Sequence, residues 1–105
     1  MIVAGISDGG FAALRFGFKY PDQFSGVAAL EPAIMPALQW KDVSPRNGFF
    51  ISTELIARFY GDPVDQAYWA KNNPASIAKE NAKRIRESGL EIYLECGDED
   101  YLNLA

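Results

Sequence analysis

The strongest constraint in the sequence is a junction near its start. An apolar run, Ile2 to Ile6, passes without a linker through Gly5-Ile6-Ser7-Asp8-Gly9-Gly10 into Phe11-Ala12-Ala13-Leu14-Arg15-Phe16-Gly17-Phe18-Lys19-Tyr20. A short, continuous apolar run is the pattern of a strand covered on both faces of a parallel sheet. The segment after the glycines is apolar almost all round, as in a buried helix. Pro21-Asp22 ends it, because proline cannot continue the helical ladder and biases its predecessor away from helix. A second apolar run, Phe24 to Leu30, is centred on Gly26-Val27-Ala28-Ala29-Leu30 and completes a βαβ unit. The fold class that follows is α/β, with parallel strands.

The remainder supports that class. Glu31 to Asn47 carries Pro32, Pro36 and Pro45 without a steady period and reads as a long connection, with one helical turn around Met35–Trp40. Phe49 to Tyr60 has helical spacing at Leu55, Ile56, Phe59 and Tyr60, with Gly61 at the C′ position. Asp62-Pro63 and Asn73-Pro74 each repeat an N-cap followed by proline, the second opening a helix through Ser88. Ile77, Ala78, Ala82 and Ile85 form its apolar side, Lys79, Lys83, Arg84 and Arg86 its wet face, and Gly89 closes it. Leu90 to Cys96 is a third strand, followed by Gly97-Asp98-Glu99-Asp100. The expectation is a single domain over 1–105, with three parallel strands flanked by helices. Because its first strand opens with nothing before it, the chain reads as a fragment of a larger domain.

Composition narrows the chemistry. A length of 105 residues allows at most one domain. An apolar fraction of 49% excludes intrinsic disorder. A net charge of −4 without a basic cluster argues against nucleic acid or an anionic membrane as partner. No stretch reaches the roughly 18 apolar residues of a membrane helix, and no signal peptide is visible, which favours a cytoplasmic location. One cysteine excludes an internal disulfide framework and a multi-cysteine zinc site. The chain has no histidine, so any mechanism that needs an imidazole base cannot be completed by these residues alone.

Gly5-x-Ser7-x-Gly9 fits the G-x-S-x-G nucleophile elbow, and it stands in the context that pattern requires: strand, tight turn, helix. A serine held in a strained turn projects its hydroxyl into open space, and bulk at Gly5 or Gly9 would clash with the neighbouring strand and helix. The helix N-terminus points unsatisfied N–H groups at the serine oxygen, and the Asp8 N–H becomes a donor to a developing oxyanion. An ordinary strand-to-helix turn also accounts for the bare pattern. A phosphate loop does not, since neither G-x-x-x-x-G-K-[ST] nor G-x-G-x-x-G is present. Asp100, or alternatively Asp98, ends the third strand, at the sheet edge where functional residues collect. An acid there would orient a histidine; a solvated acidic turn is the plainer account, and a metal site is disfavoured.

The run from Gly5 to Leu14, followed by Tyr20-Pro21-Asp22-Gln23-Phe24 and a short strand, resembles the α/β-hydrolase superfamily. Within it, the chain is most similar to the esterase group that includes esterase D, feruloyl esterase and enterochelin esterase. Leu94-Glu95-Cys96-Gly97-Asp98-Glu99-Asp100-Tyr101-Leu102 resembles the acid-bearing strand end of that group. The resemblance implies a partial α/β-hydrolase fold and a serine carboxylesterase acting on a small or aromatic acyl ester. It further implies Ser7 as nucleophile, the Asp8 N–H as oxyanion donor and Asp100 as triad acid, with no cofactor or metal. Asp8 departs from the usual methionine. The upstream strands, the second oxyanion donor and the histidine lie outside the chain, so the chain alone is expected to be inactive. The alternative is a non-catalytic, hydrolase-like binding or interaction module.

Other residues carry plainer expectations. Cys96 reads as a buried thiol. Trp40, Phe49, Phe50, Tyr60, Tyr68 and Trp69 fall where they would cap the sheet edge, either lining an acyl pocket or packing the core. Glu31 lies near the presumed site and reads as a loop carboxylate in water. The first strand would leave an unpaired edge, from which self-association is expected.

Overall fold

The computed structural model describes residues 1–35, 37–43 and 53–97. Three parallel strands form one sheet in the order β1 (Ile2–Ile6), β2 (Gly26–Leu30), β3 (Glu91–Glu95). The register runs from Ile2 opposite Gly26 to Ile6 opposite Leu30, and from Gly26 opposite Glu91 to Leu30 opposite Glu95. All three carboxyl ends therefore lie at one edge. Between β1 and β2 runs α1 (Asp8–Lys19). Between β2 and β3 lie a 3₁₀ turn (Trp40–Asp42), α2 (Thr53–Tyr60), α3 (Gln66–Asn72), α4 (Pro74–Glu80) and α5 (Ala82–Ser88).

Helix α1 packs on β1 and β2 through Ala13, Leu14 and Phe18, which meet Val27 and Ala29 together with Ile77 and Leu90. Leu14 is 1% exposed and Ala29 fully buried; burial of a leucine side chain contributes about 1.5–3 kcal/mol. A second cluster gathers Met35, Ala37, Ile56 and Trp69, with Trp40 edge-on to Trp69 at 6.0 Å between ring centroids. The buried Asn73 joins the long connection to α4, donating from Nδ2 to the Ala37 carbonyl at 2.6 Å and to Ser76 Oγ at 2.9 Å. Arg15 ties α1 to α3, donating from Nε and Nη2 to Asn72 Oδ1 at 2.9 and 2.6 Å.

Several expectations are corrected. The strands are not covered on both faces: Ile2 is 69% and Ile6 64% exposed, and every residue of β3 is exposed. Among the described residues the helices pack on the Val3–Val27 side only, which leaves Ile2, Ile6, Leu30 and Tyr93 open on the other. Helix α1 is accordingly buried on one side, with Phe16 43% exposed. The helical turn expected around Met35–Trp40 falls at Trp40–Asp42. The helix expected from Asn73-Pro74 to Ser88 breaks into α4 and α5 at Asn81, whose Nδ2 turns to the Phe18 carbonyl at 3.0 Å. Cys96 is exposed rather than buried, because β3 is an edge strand among the described residues.

Asp62-Pro63 lies in a turn and caps no helix. The cap of α3 is Asp65, whose side chain accepts from the Tyr68 N–H at 3.1 Å. Asp65→Ala is therefore expected to lower stability by about 1 kcal/mol, read in urea melts, and Asp62→Ala to change it by less than half as much.

Candidate active site

Ser7 stands between the last residue of β1 and the first of α1, with φ 57° and ψ −117°. A non-glycine residue with positive φ is uncommon and persists only where its surroundings over-determine it. Here they do. The Ser7 N–H donates to the Leu30 carbonyl at 3.0 Å, and the Ser7 carbonyl accepts from the N–H groups of Phe11 and Ala33, each at 3.1 Å. Strand β2, helix α1 and the long connection thus all fix one backbone unit. A serine ahead of a helix ordinarily spends its hydroxyl on capping the first turn. Ser7 makes no side-chain cap bond and is exposed, so the hydroxyl stands at the carboxyl edge without a partner among the described residues.

The glycines around it divide unequally. A Cβ on Gly5 would overlap the carbonyl carbon and oxygen of Gly9 and lie 2.9 Å from the Gly10 nitrogen, all backbone of α1's first turn. A Cβ on Gly10 would lie 3.0 Å from both Cα and Cβ of Pro32. A Cβ on Gly9 meets nothing within 4 Å. The steric demand expected at Gly5 and Gly9 therefore falls, within the described residues, on Gly5 and Gly10. Asp8 opens α1 and is exposed; a carboxylate in the first turn is favoured by the helix dipole. Its N–H belongs to the set that lacks an intrahelical acceptor.

Asp98 and Asp100 lie outside the described residues, as do Phe49 and Phe50. The chain leading to the acids is placed: after Glu95, Cys96 and Gly97 leave the same edge that carries Ser7. Glu31, read from sequence as a solvated loop carboxylate, is instead engaged there. Its Oε1 accepts from the Gly97 N–H at 2.7 Å and its Oε2 from the Cys96 thiol at 3.1 Å. No periodicity marks such a residue; its position directly after β2 was the available signal.

Of the aromatics, Trp69 is core at 1% exposure, while Trp40 lines a groove of about 340 Å³ with Ile56, Pro63, Val64 and Asp62. Burial beside Tyr68 raises the Tyr60 hydroxyl above its ordinary pKa, and a hydrogen bond to Glu95 raises Tyr93. Among the described residues no helix is long and apolar enough to cross a membrane, and no group of three His, Cys, Asp or Glu residues is placed to hold a metal ion.

Comparison with known proteins agrees with this architecture. The family model described as "Putative esterase" matches residues 1–104. An acetyl esterase from Caldicellulosiruptor saccharolyticus is 33% identical over 101 residues, which cover 95% of this chain and 37% of that protein. The chain thus spans well under half the length of this curated relative. No solved structure matches it. With parallel strands, a strand–serine–helix junction and a family match along nearly its whole length, the chain belongs to the esterase family, of the α/β-hydrolase type.

Proposed function

We propose that the protein containing these residues hydrolyses small acyl esters, acetyl esters among them, by serine-based acyl transfer. The observation that carries the reading is the Ser7 geometry: a strained backbone held by three hydrogen bonds, with a hydroxyl left out of helix capping. Ser7 Oγ attacks the ester carbonyl carbon and gives its proton to a base. The C–O bond to the alcohol breaks, and the alcohol leaves with that proton. Water then attacks the acyl-serine, which releases the acid and restores Ser7. The Asp8 N–H donates to the oxyanion as it forms, and Asp100 orients the base. That base, an imidazole in this mechanism, comes from outside residues 1–105, which contain no histidine. Residues 1–105 alone are accordingly inactive.

A fluorophosphonate probe distinguishes this from the alternative, a hydrolase-like binding module, which the lack of histidine favours. Incubated with the complete gene product that contains residues 1–105, the probe is expected to add one phosphonate to the peptide bearing Ser7, detected by mass spectrometry. An unmodified Ser7 after prolonged incubation overturns the nucleophile assignment and leaves the binding reading.

A further inference from the structure

Glu31 and Ser7 are the two non-glycine residues with positive φ among the described residues, at 45° and 57°, and they sit at the ends of adjacent strands. At Glu31 the local chain resists that conformation twice over. Its Cβ disfavours positive φ, and Pro32 biases its predecessor toward extended backbone. What the conformation achieves is visible across the sheet. The Glu31 N–H donates to the Glu95 carbonyl at 2.7 Å, and the carboxylate reaches two residues past the end of the β2–β3 ladder to take the Gly97 N–H and the Cys96 thiol. A carboxylate acceptor makes such bonds shorter and stronger than a neutral one does.

The same segment is tied to Ser7 from the other side. Leu30, just before Glu31, accepts from the Ser7 N–H, and Ala33, just after Pro32, donates to the Ser7 carbonyl. Ser7, the end of β2 and Gly97 are therefore strapped in series, with the Glu31 carboxylate bridging β2 to Cys96 and Gly97. Gly97 immediately precedes Asp98-Glu99-Asp100 in sequence.

From this we infer that Glu31 is a positioning residue, which fixes the start of the acid-bearing segment relative to Ser7. The inference rests on the serine esterase reading with its acid in that segment. Glu31 touches no reacting atom in this scheme; it acts through Gly97.

The test uses Glu31→Ala and Glu31→Gln in the complete gene product, assayed on an acetyl ester at a temperature where all forms are fully folded by circular dichroism. Misplacing a catalytic group by about 1 Å costs on the order of 100-fold, so Glu31→Ala is expected to lower kcat by about 10–100-fold with KM little changed. Glu31→Gln keeps an acceptor for the Gly97 N–H and is expected to recover most of that loss. In parallel, the Gly97 amide proton in NMR spectra is expected to move upfield and exchange faster in Glu31→Ala. Unchanged kcat in Glu31→Ala while the wild type hydrolyses the ester overturns the inference and leaves the esterase reading standing, and so does an unmoved Gly97 resonance. Equal losses in Ala and Gln variants overturn positioning through hydrogen bonding. A wild type that hydrolyses no ester overturns the esterase reading itself, and the inference with it.

Discussion

Replacing Ser7 by alanine is expected to abolish ester hydrolysis by the complete gene product, with kcat falling by about 10⁴-fold or more, while the protein stays folded. The two halves of this expectation have separate causes. The activity loss follows from removing the oxygen that forms the acyl bond, after which only binding and oxyanion contacts remain. The stability is spared because the hydroxyl makes no hydrogen bond among the described residues, and alanine retains the same Cβ in the same strained backbone. Ser7→Gly separates the effects further. Glycine adopts φ 57° without the penalty that serine carries there, a relief on the order of 1 kcal/mol. The variant is therefore expected to be inactive yet to melt at a temperature equal to or above that of the wild type. Stability sacrificed at a residue that function requires is the signature of a reactive site. A Ser7→Ala protein that retains a tenth of the activity would remove serine from the mechanism. A Ser7→Gly protein that unfolds well below the wild type would mean that the hydroxyl serves the fold.

How much of this was legible in the sequence depends on the range of the interaction involved. The strand–helix–strand unit around Ser7 was readable because its signals are local: a continuous apolar run, paired glycines, a terminating proline. The parallel sheet followed from the same unit. Burial is not legible where it depends on partners distant in sequence. Ile2, Ile6 and Tyr93 carry apolar patterns suited to a covered face, and within the described residues that face is open. Cys96 reads as interior for the same reason and is exposed. Asp65 displaced Asp62 as a cap because two acceptor side chains stood three residues apart, and only the turn geometry decides which one meets a free N–H. Glu31 reads as a solvated carboxylate because its hydrogen-bond partner, Gly97, stands 66 residues away in sequence. The turn shows the same division: the glycines around Ser7 stand out by their spacing, but which of them face close backbone depends on Gly9 and Pro32 and is seen only in the fold.

The second large effect is expected at Gly5. A methyl group there would overlap the Gly9 carbonyl and press on the Gly10 nitrogen at 2.9 Å. Neither neighbour is the end of a flexible side chain. Both are backbone of the first turn of α1, and moving them means moving the helix away from the strand. The helix has little freedom to comply. Its Ala13, Leu14 and Phe18 are seated on Val27 and Ala29, Gly10 already lies against Pro32, and Phe11 is bonded to the Ser7 carbonyl. Overpacking in such a setting costs about 1–3 kcal/mol and occasionally more, and with backbone on both sides Gly5→Ala is expected at or above the top of that range. In thermal melts this appears as a fall in Tm, and in the ester assay as a loss of kcat even in the folded fraction, because the displaced turn carries Ser7. Gly9→Ala provides the contrast. Its methyl group would meet nothing within 4 Å, and it replaces a helical glycine by a better helix former, so stability is expected to hold or to rise by up to about 1 kcal/mol. If Gly5→Ala matches the wild type in Tm while Gly9→Ala falls, the tight approach of strand to helix has been assigned to the wrong glycine, and the construction of the Ser7 turn would have to be revised from Gly9 outward.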